Sequence, residues 1–222
     1  LAQASPGRPV FQDCRSTGRM LALKQALGGV HLYLWRNPWD QWTSYQVAPY
    51  FDATTQFFML APGAPGVLRE LRERWHIEAP PTTDIAQGFA HFAQHPLTAA
   101  ASYQTFYALW CLGLRTGWRH ADLMLSIDEL SRSAASRSRT LALLAGLGVT
   151  GLDLSGCQVP RRVHTSRDRA FFAEHEQTVH EGLLRDGWSA QELRQLARLR
   201  ESCESGTITG WVQRWRRWLG QD

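Results

Sequence analysis

The sequence lacks paired cysteines. Its four cysteines, Cys14, Cys111, Cys157 and Cys203, are scattered, form no CxxC pair and have no histidine nearby at metal-ligand spacing. This pattern argues against a zinc site and against a disulfide framework, and it favours reduced thiols in a cytoplasmic protein without a metal. The first residues also lack the charged segment followed by an apolar one that is typical of a secretory signal.

Long apolar runs are scarce too. Residues 97–114 form an uncharged stretch long enough to raise the question of a membrane span, but Ser102, Gln104 and Thr105 make it too polar to face lipid. We therefore predict a buried core helix here and no transmembrane segment.

A dense basic stripe is also missing. The formal net charge is +4 and the sequence pI is about 9.1, and the positive charge comes from arginine far more than from lysine. Arginine pairs well with planar oxygen groups, so this composition favours anionic ligands. A dedicated nucleic-acid binder usually carries more clustered positive charge, and we do not expect nucleic acid as a partner.

The apolar content and its periodicity predict one compact α/β domain. Hydrophobic residues make up 44% of the chain, which is ample for a buried core, so we treat residues 1–222 as one domain. Three short apolar runs, at 9–13, 30–35 and 121–127, have strand character, and helical periodicity fills most of the rest, while 51–60 is ambiguous. Because a helical segment separates the first two runs, we expect those strands to be parallel and adjacent. The sheet then lies within 1–150, and 151–222 is a helical carboxyl-terminal part.

The most informative stretch is 30–47, where a strand leads directly into a helix. Arg36 follows the strand, and Asn37 and Pro38 supply the chemistry of a turn and a helix start. Asp40 and Ser44 then follow at four-residue steps on the same side as Arg36. A cation at the carboxyl end of a strand and a hydroxyl in the next helix converge where α/β sheets bind ligands, and an anion suits that place. The alternative for the pattern is a surface ion pair between Arg36 and Asp40.

The segment Arg36-Asn37-Pro38-x-Asp40-x-x-x-Ser44, together with the order of strands and helices around it, resembles the sulfotransferases that use 3′-phosphoadenosine 5′-phosphosulfate (PAPS). In that family an R-x-P-x-D-x-x-x-S segment binds the 3′-phosphate of the donor. The resemblance covers roughly residues 9–148 and implies that Arg36 and Ser44 bind the donor, with Asp40 at the position of a family acid. It also implies a three-layer, P-loop-NTPase-like fold with a short parallel sheet and many helices, in which 1–150 is the nucleotide-binding core.

The chain departs from the family in two respects. The glycine-rich loop that holds the 5′-phosphosulfate has no counterpart in these residues, so we expect an N-terminally incomplete fold, either a truncated enzyme or a protein without the catalytic loop. Where the family often has a catalytic histidine, this chain has Asp13, our candidate general base, with a capping or turn role as the alternative. Arg167 lies in a basic loop where the family places further donor-binding residues, with a solvated arginine as the alternative.

The resemblance predicts a sulfotransferase that transfers a sulfuryl group from PAPS to a hydroxyl or amine of a small-molecule, glycan or peptide acceptor. One alternative is a non-catalytic binding module of the same fold. Another is a basic nucleic-acid or membrane-surface protein that uses the tryptophan- and arginine-rich segment 211–219. Among the other residues, we expect Trp39 and Trp42 in the core and His164, His175 and His180 at the surface.

Overall fold

The structure, a computed structural model, describes residues 10–12, 17–160 and 162–205 and is mostly helical. The helices are α1 (Met20–Leu27, after a 3-10 turn at Thr17–Arg19), α2 (Pro38–Tyr45), α3 (Pro49–Met59), α4 (Gly66–Arg74), α5 (Ile85–Gln94), α6 (Ala99–His120), α7 (Ile127–Arg132), α8 (Ala134–Gly146), α9 (Ser166–Arg185) and α10 (Ala190–Ser205), and the strands are β1 (Leu32–Trp35) and β2 (Leu123–Ser126). The α/β class is therefore confirmed at this coarse level.

The two strands pair in parallel. Leu32 lies opposite Leu123 and Trp35 opposite Ser126, so the carboxyl ends of both strands meet at one edge of the sheet. In the described part of the chain the sheet has these two strands alone. The strand predicted at 9–13 is wrong for the three of its residues that are described, because Val10 and Phe11 stay exposed outside any strand. The partner of β1 is β2 instead.

Helix α6 forms the centre of the main core and packs against one face of the sheet. Tyr103, Tyr107 and Leu114 on this helix are fully buried, which confirms the predicted core helix. Close packing on β1 requires glycine on α6, since a Cβ on Gly117 would lie 2.7 Å from the ring of Tyr33. Among the described residues, no helix is long and apolar enough to cross a membrane.

The other face of the sheet is covered by a smaller apolar cluster. Leu123, Leu125, Leu130 and Leu144 form this cluster, which joins β2 to α7 and α8. The sheet is thus held between α6 on one side and α7 and α8 on the other, as parallel sheets with crossover helices usually are.

The structure decides the ambiguous segment 51–60. All of it except Leu60, which caps the end, belongs to helix α3, which has Pro49 in its first turn. The residues after β2 form two helices, because Ser133 has extended backbone angles and its side chain caps the second helix by accepting a hydrogen bond from the Ser136 N–H at 3.1 Å.

Candidate functional site

The junction between β1 and α2 is built by local sequence. The strand ends at Trp35, and Asn37 caps the helix because its Oδ1 accepts a hydrogen bond from the Trp39 N–H at 2.9 Å. Pro38 occupies the first turn, where its missing N–H costs nothing. Arg36 is therefore fixed between a strand end and a helix start, as the sequence predicts.

Asp128 ties the two strand ends together. It lies two residues after the end of β2, in the first turn of α7, and is 7% exposed. Its Oδ2 accepts a hydrogen bond from the Asn37 N–H at 2.5 Å, and its Oδ1 lies 3.3 Å from Arg36 Nε. One carboxylate thus orients both the backbone and the side chain at the start of the junction.

The guanidinium of Arg36 is largely enclosed. Its side chain is 14% exposed, and besides Asp128 it donates a hydrogen bond from a terminal nitrogen to the Pro160 carbonyl. The Arg36 carbonyl accepts a hydrogen bond from Trp110 Nε1 at 3.0 Å. The ion pair between Arg36 and Asp40 that was the alternative reading is not among the contacts of the described residues.

Asp40 pairs instead with His164. The two side chains are 5% and 8% exposed, and Asp40 Oδ1 lies 2.9 Å from His164 Nε2. The imidazole also meets the edges of two aromatic rings, with centroid distances of 5.3 Å to Trp39 and 5.5 Å to Phe172. The prediction of a surface position for His164 is therefore wrong, since the loop before α9 folds back onto α2.

Ser44 and Arg167 occupy exposed positions. The Ser44 hydroxyl, near the end of α2, donates a hydrogen bond to the Gln41 carbonyl at 2.7 Å. Arg167 lies in the first turn of α9, which is capped by Thr165 and Asp168. The structure records no contact of either residue with Arg36, so among the described residues these donor-binding candidates do not touch one another. Asp13 lies outside the described residues.

A buried polar network lies behind α2 and holds Trp39. Glu176 of α9 accepts hydrogen bonds from Trp39 Nε1 at 2.6 Å and from the Tyr103 hydroxyl at 2.8 Å. Glu176 also pairs with Arg200 of α10 at 3.2 Å, and the guanidinium of Arg200 lies 4.6 Å from the centroid of the Trp39 ring. Trp39 is 3% exposed, which confirms its predicted place in the core.

The same region contains a partly buried histidine. His180 Nε2 lies 3.0 Å from the Tyr107 hydroxyl. Burial, and to a smaller degree the charge of Arg200, lowers the pKa of His180 to about 4. The surface prediction is wrong for this histidine as well, and His180 is neutral in the folded protein at pH 7. His175 is half-buried, and burial lowers its pKa.

A cavity lies elsewhere, between α3 and α5. Its volume is about 300 Å³, and its walls are apolar and aromatic: Pro49, Tyr50, Ala53, Phe89, Ala90 and Ala93. None of these residues belongs to the β1–α2 junction. Over the described ranges there is no group of three or more histidine, cysteine or acidic side chains arranged to hold a metal ion.

Sequence reasoning found Arg36 but missed Asp128 as its partner and missed the pairing of His164 with Asp40. Asp128 could have been predicted, because a carboxylate two residues after one parallel strand lies near the end of the neighbouring strand. His164 had no such signal, since it is in a loop with no regular periodicity. No protein-family model, curated protein or solved structure matches this chain.

Proposed function

We propose that the β1–α2 junction binds the 3′-phosphate of PAPS and that the protein is a sulfotransferase acting on a hydroxyl or amine acceptor. One observation carries the proposal: Arg36 is held at the carboxyl end of a parallel strand, immediately before a capped helix that carries Ser44. Arg36, the helix start and Ser44 have the order and spacing of the segment by which the sequence resembles the PAPS-dependent sulfotransferases.

The chemistry of the junction favours a phosphate. Helix α2 directs its first N–H groups and the positive end of its dipole towards the side where Arg36 lies. Asp128 accepts a hydrogen bond from Arg36 Nε, and a terminal nitrogen of the same guanidinium donates a hydrogen bond to the neutral carbonyl of Pro160. A phosphate oxygen is a stronger acceptor than a carbonyl because it is charged, so a phosphate competes well for that terminal nitrogen.

Ser44 suits a secondary role. Its exposed hydroxyl gives up one local hydrogen bond, to the Gln41 carbonyl, when it turns towards a ligand. A hydroxyl both donates and accepts, so it adapts to a phosphate oxygen at small cost. We therefore expect Arg36 to contribute most of the affinity and Ser44 less.

In this proposal the junction positions the donor and does not break a bond. The acceptor oxygen or nitrogen attacks the sulfur in line, the bond from sulfur to the 5′-phosphate oxygen breaks, and adenosine 3′,5′-bisphosphate departs. A general base takes the acceptor proton, and Asp13 remains the candidate for that role. Holding the 3′-phosphate fixes the direction of the attacked bond, which is where positioning contributes to rate.

The test is calorimetric titration of the chain with adenosine 3′,5′-bisphosphate. We expect Arg36→Ala to weaken binding about 10- to 100-fold, since a hydrogen bond to a charged group contributes about 1.5–3 kcal/mol. The loss of affinity in Ser44→Ala should be several times smaller than the loss in Arg36→Ala. Arg115→Ala is the matched control, because Arg115 is also half-buried in an ion pair, 3.0 Å from Glu192.

Two results would refute the assignment: no binding by the wild type, or equal affinity in wild type and Arg36→Ala. Circular dichroism spectra of each variant establish that it is folded before titration. Binding without sulfuryl transfer to any hydroxyl or amine acceptor would favour the non-catalytic module.

A further inference from the structure

Three side chains from three helices form a relay of hydrogen bonds at the end of α4. Trp75 Nε1 lies 3.0 Å from Gln104 Oε1, and Gln104 Nε2 lies 3.1 Å from His175 Nδ1. Trp75 caps the end of α4, Gln104 belongs to α6 and His175 to α9. Gln104 is 3% exposed and its two neighbours are half-buried, so the central amide has little access to water.

The indole fixes the direction of the relay. An indole N–H only donates, so the Gln104 atom that faces Trp75 is the carbonyl oxygen and the group that faces His175 is the NH2. The NH2 group also only donates, so His175 Nδ1 accepts and carries no proton. The relay therefore requires the neutral imidazole. Burial lowers the pKa of His175 and favours the same form at pH 7.

A proton on Nδ1 leaves the Gln104 amide with no orientation that satisfies both neighbours. In the present orientation its NH2 group would face a second donor, Nδ1–H. If the amide turns over, its oxygen faces His175 but its NH2 group faces the indole N–H of Trp75. The second orientation is the better one, because the oxygen then accepts from a charged donor. The hydrogen bond that is lost is the one to Trp75, at the other end of the relay.

We propose that the relay is a proton-sensitive switch, in which a proton on His175 turns the Gln104 amide over and releases Trp75 from α6. The indole contact is present at neutral pH and is lost as pH falls below the pKa of His175. The residue after Trp75, His76, has a φ of 49°, a left-handed angle that is uncommon outside glycine. Release of Trp75 thus removes a contact that holds a strained turn, and it loosens the end of α4.

Burial decides the protonation of His175 more than the charges around it do. On the same helix, Glu174 favours the protonated ring, but its effect is smaller than that of burial. The next residue, Glu176, points into the buried network described above. The groups that α4 and α6 present to the ring through the relay, Trp75 and Gln104, are uncharged.

The experiment is an NMR titration of the wild-type chain, in which the His175 ring and the indole N–H groups are followed residue by residue. We expect His175 to titrate below about 6.5, the usual value for histidine, and the Trp75 indole signal to move with the same midpoint. Below that midpoint the Trp75 indole N–H should also exchange faster with solvent. Trp110 is the internal control, because its indole donates to the Arg36 carbonyl, which does not titrate.

The Trp75→Phe variant separates the switch from simple burial. Without the indole donor the amide turns over freely, so the pKa of His175 should rise by about 0.5–1 unit. Trp42→Phe is the matched control. Trp42 is also half-buried and donates to a side chain of α6, Ser102, and it packs on Phe171, whose ring contacts His175. This control variant loses similar packing near the ring but keeps the relay, so its His175 should titrate as in the wild type.

Two outcomes would overturn the proposal. One is a Trp75 indole signal that stays constant while His175 titrates. The other is a pKa of His175 that is unchanged in Trp75→Phe or that rises equally in Trp42→Phe. The first measurement uses the wild-type chain, so the test does not depend on the folding of a variant.

Discussion

The carboxylate of Glu176 gives a stability prediction whose size follows from its contacts. Glu176 is 5% exposed and joins its own helix, α9, to three others, because it accepts hydrogen bonds from Trp39 on α2 and Tyr103 on α6 and pairs with Arg200 on α10. In Glu176→Ala two buried donors lose their acceptor, and the buried guanidinium loses this carboxylate.

The expected loss is about 3–5 kcal/mol in the free energy of unfolding. A buried donor left unsatisfied costs about 1–3 kcal/mol, and removal of one partner of a buried ion pair costs about 3–5 kcal/mol. These terms describe overlapping contacts, so the larger one sets the scale and they are not summed. For a chain of this size the loss corresponds to a fall in Tm of about 6–20 °C.

The assay is urea unfolding followed by circular dichroism, with Glu70→Ala as the matched control. Glu70 also pairs with an arginine, 2.6 Å from Arg185, but these side chains are 41% and 54% exposed, so its removal should cost at most about 1 kcal/mol. Glu176→Gln should fall between the two, since its amide oxygen still accepts hydrogen bonds but carries no charge. Equal losses in Glu176→Ala and Glu70→Ala would show that the buried network is not what holds these helices together.

Two further predictions concern the partly buried His180 and the close packing of the α6 backbone on Tyr33. The pKa of His180 is about 4 in the folded state, whereas an unfolded histidine titrates near 6.5, so the free energy of unfolding should drop as pH falls from about 6.5 to 4. In urea titrations over a series of pH values, His180→Gln should make that drop smaller. A drop of unchanged size in the variant would exclude His180 as its source. Gly117→Ala should lower the free energy of unfolding by about 1–3 kcal/mol, measured by a thermal melt, because its Cβ would lie 2.7 Å from the ring of Tyr33. The Cβ of Gly146→Ala meets open space, so that variant should be as stable as the wild type or slightly more stable. The reverse order of stabilities would contradict the packing of α6 on β1.

Local chemistry accounts for what the sequence could predict. The apolar run of β1 and the Asn37-Pro38 start of α2 act within a few residues, so the strand-to-helix junction was predictable with Arg36 at its centre. The second strand was predictable for the same reason.

Long-range contacts account for what could not be predicted. The pairing of β1 with β2, and not with the segment at 9–13, depends on which strands meet after the intervening helices pack. The contact of Asp40 with His164 joins residues 124 positions apart and has no local signature. A histidine in a loop is expected at the surface unless the loop is known to fold back onto a helix, so His164 was predicted to be exposed. Without His164 as a candidate partner, Asp40 was interpreted through Arg36 and the family segment alone.

The parallel pairing of β1 with β2 has a consequence for how the chain folds. The hydrogen bond from the Asn37 N–H to Asp128 closes a loop of 91 positions that contains five helices, α2 to α6. Closing a flexible loop of that length costs about 4 kcal/mol in chain entropy, and no strand contact is gained until it is closed. Helices form on far shorter timescales than such closures, so we expect α6 and its neighbours to collapse first and shorten the effective loop. The two strand ends that build the Arg36 site are then among the last parts of the molecule to come together.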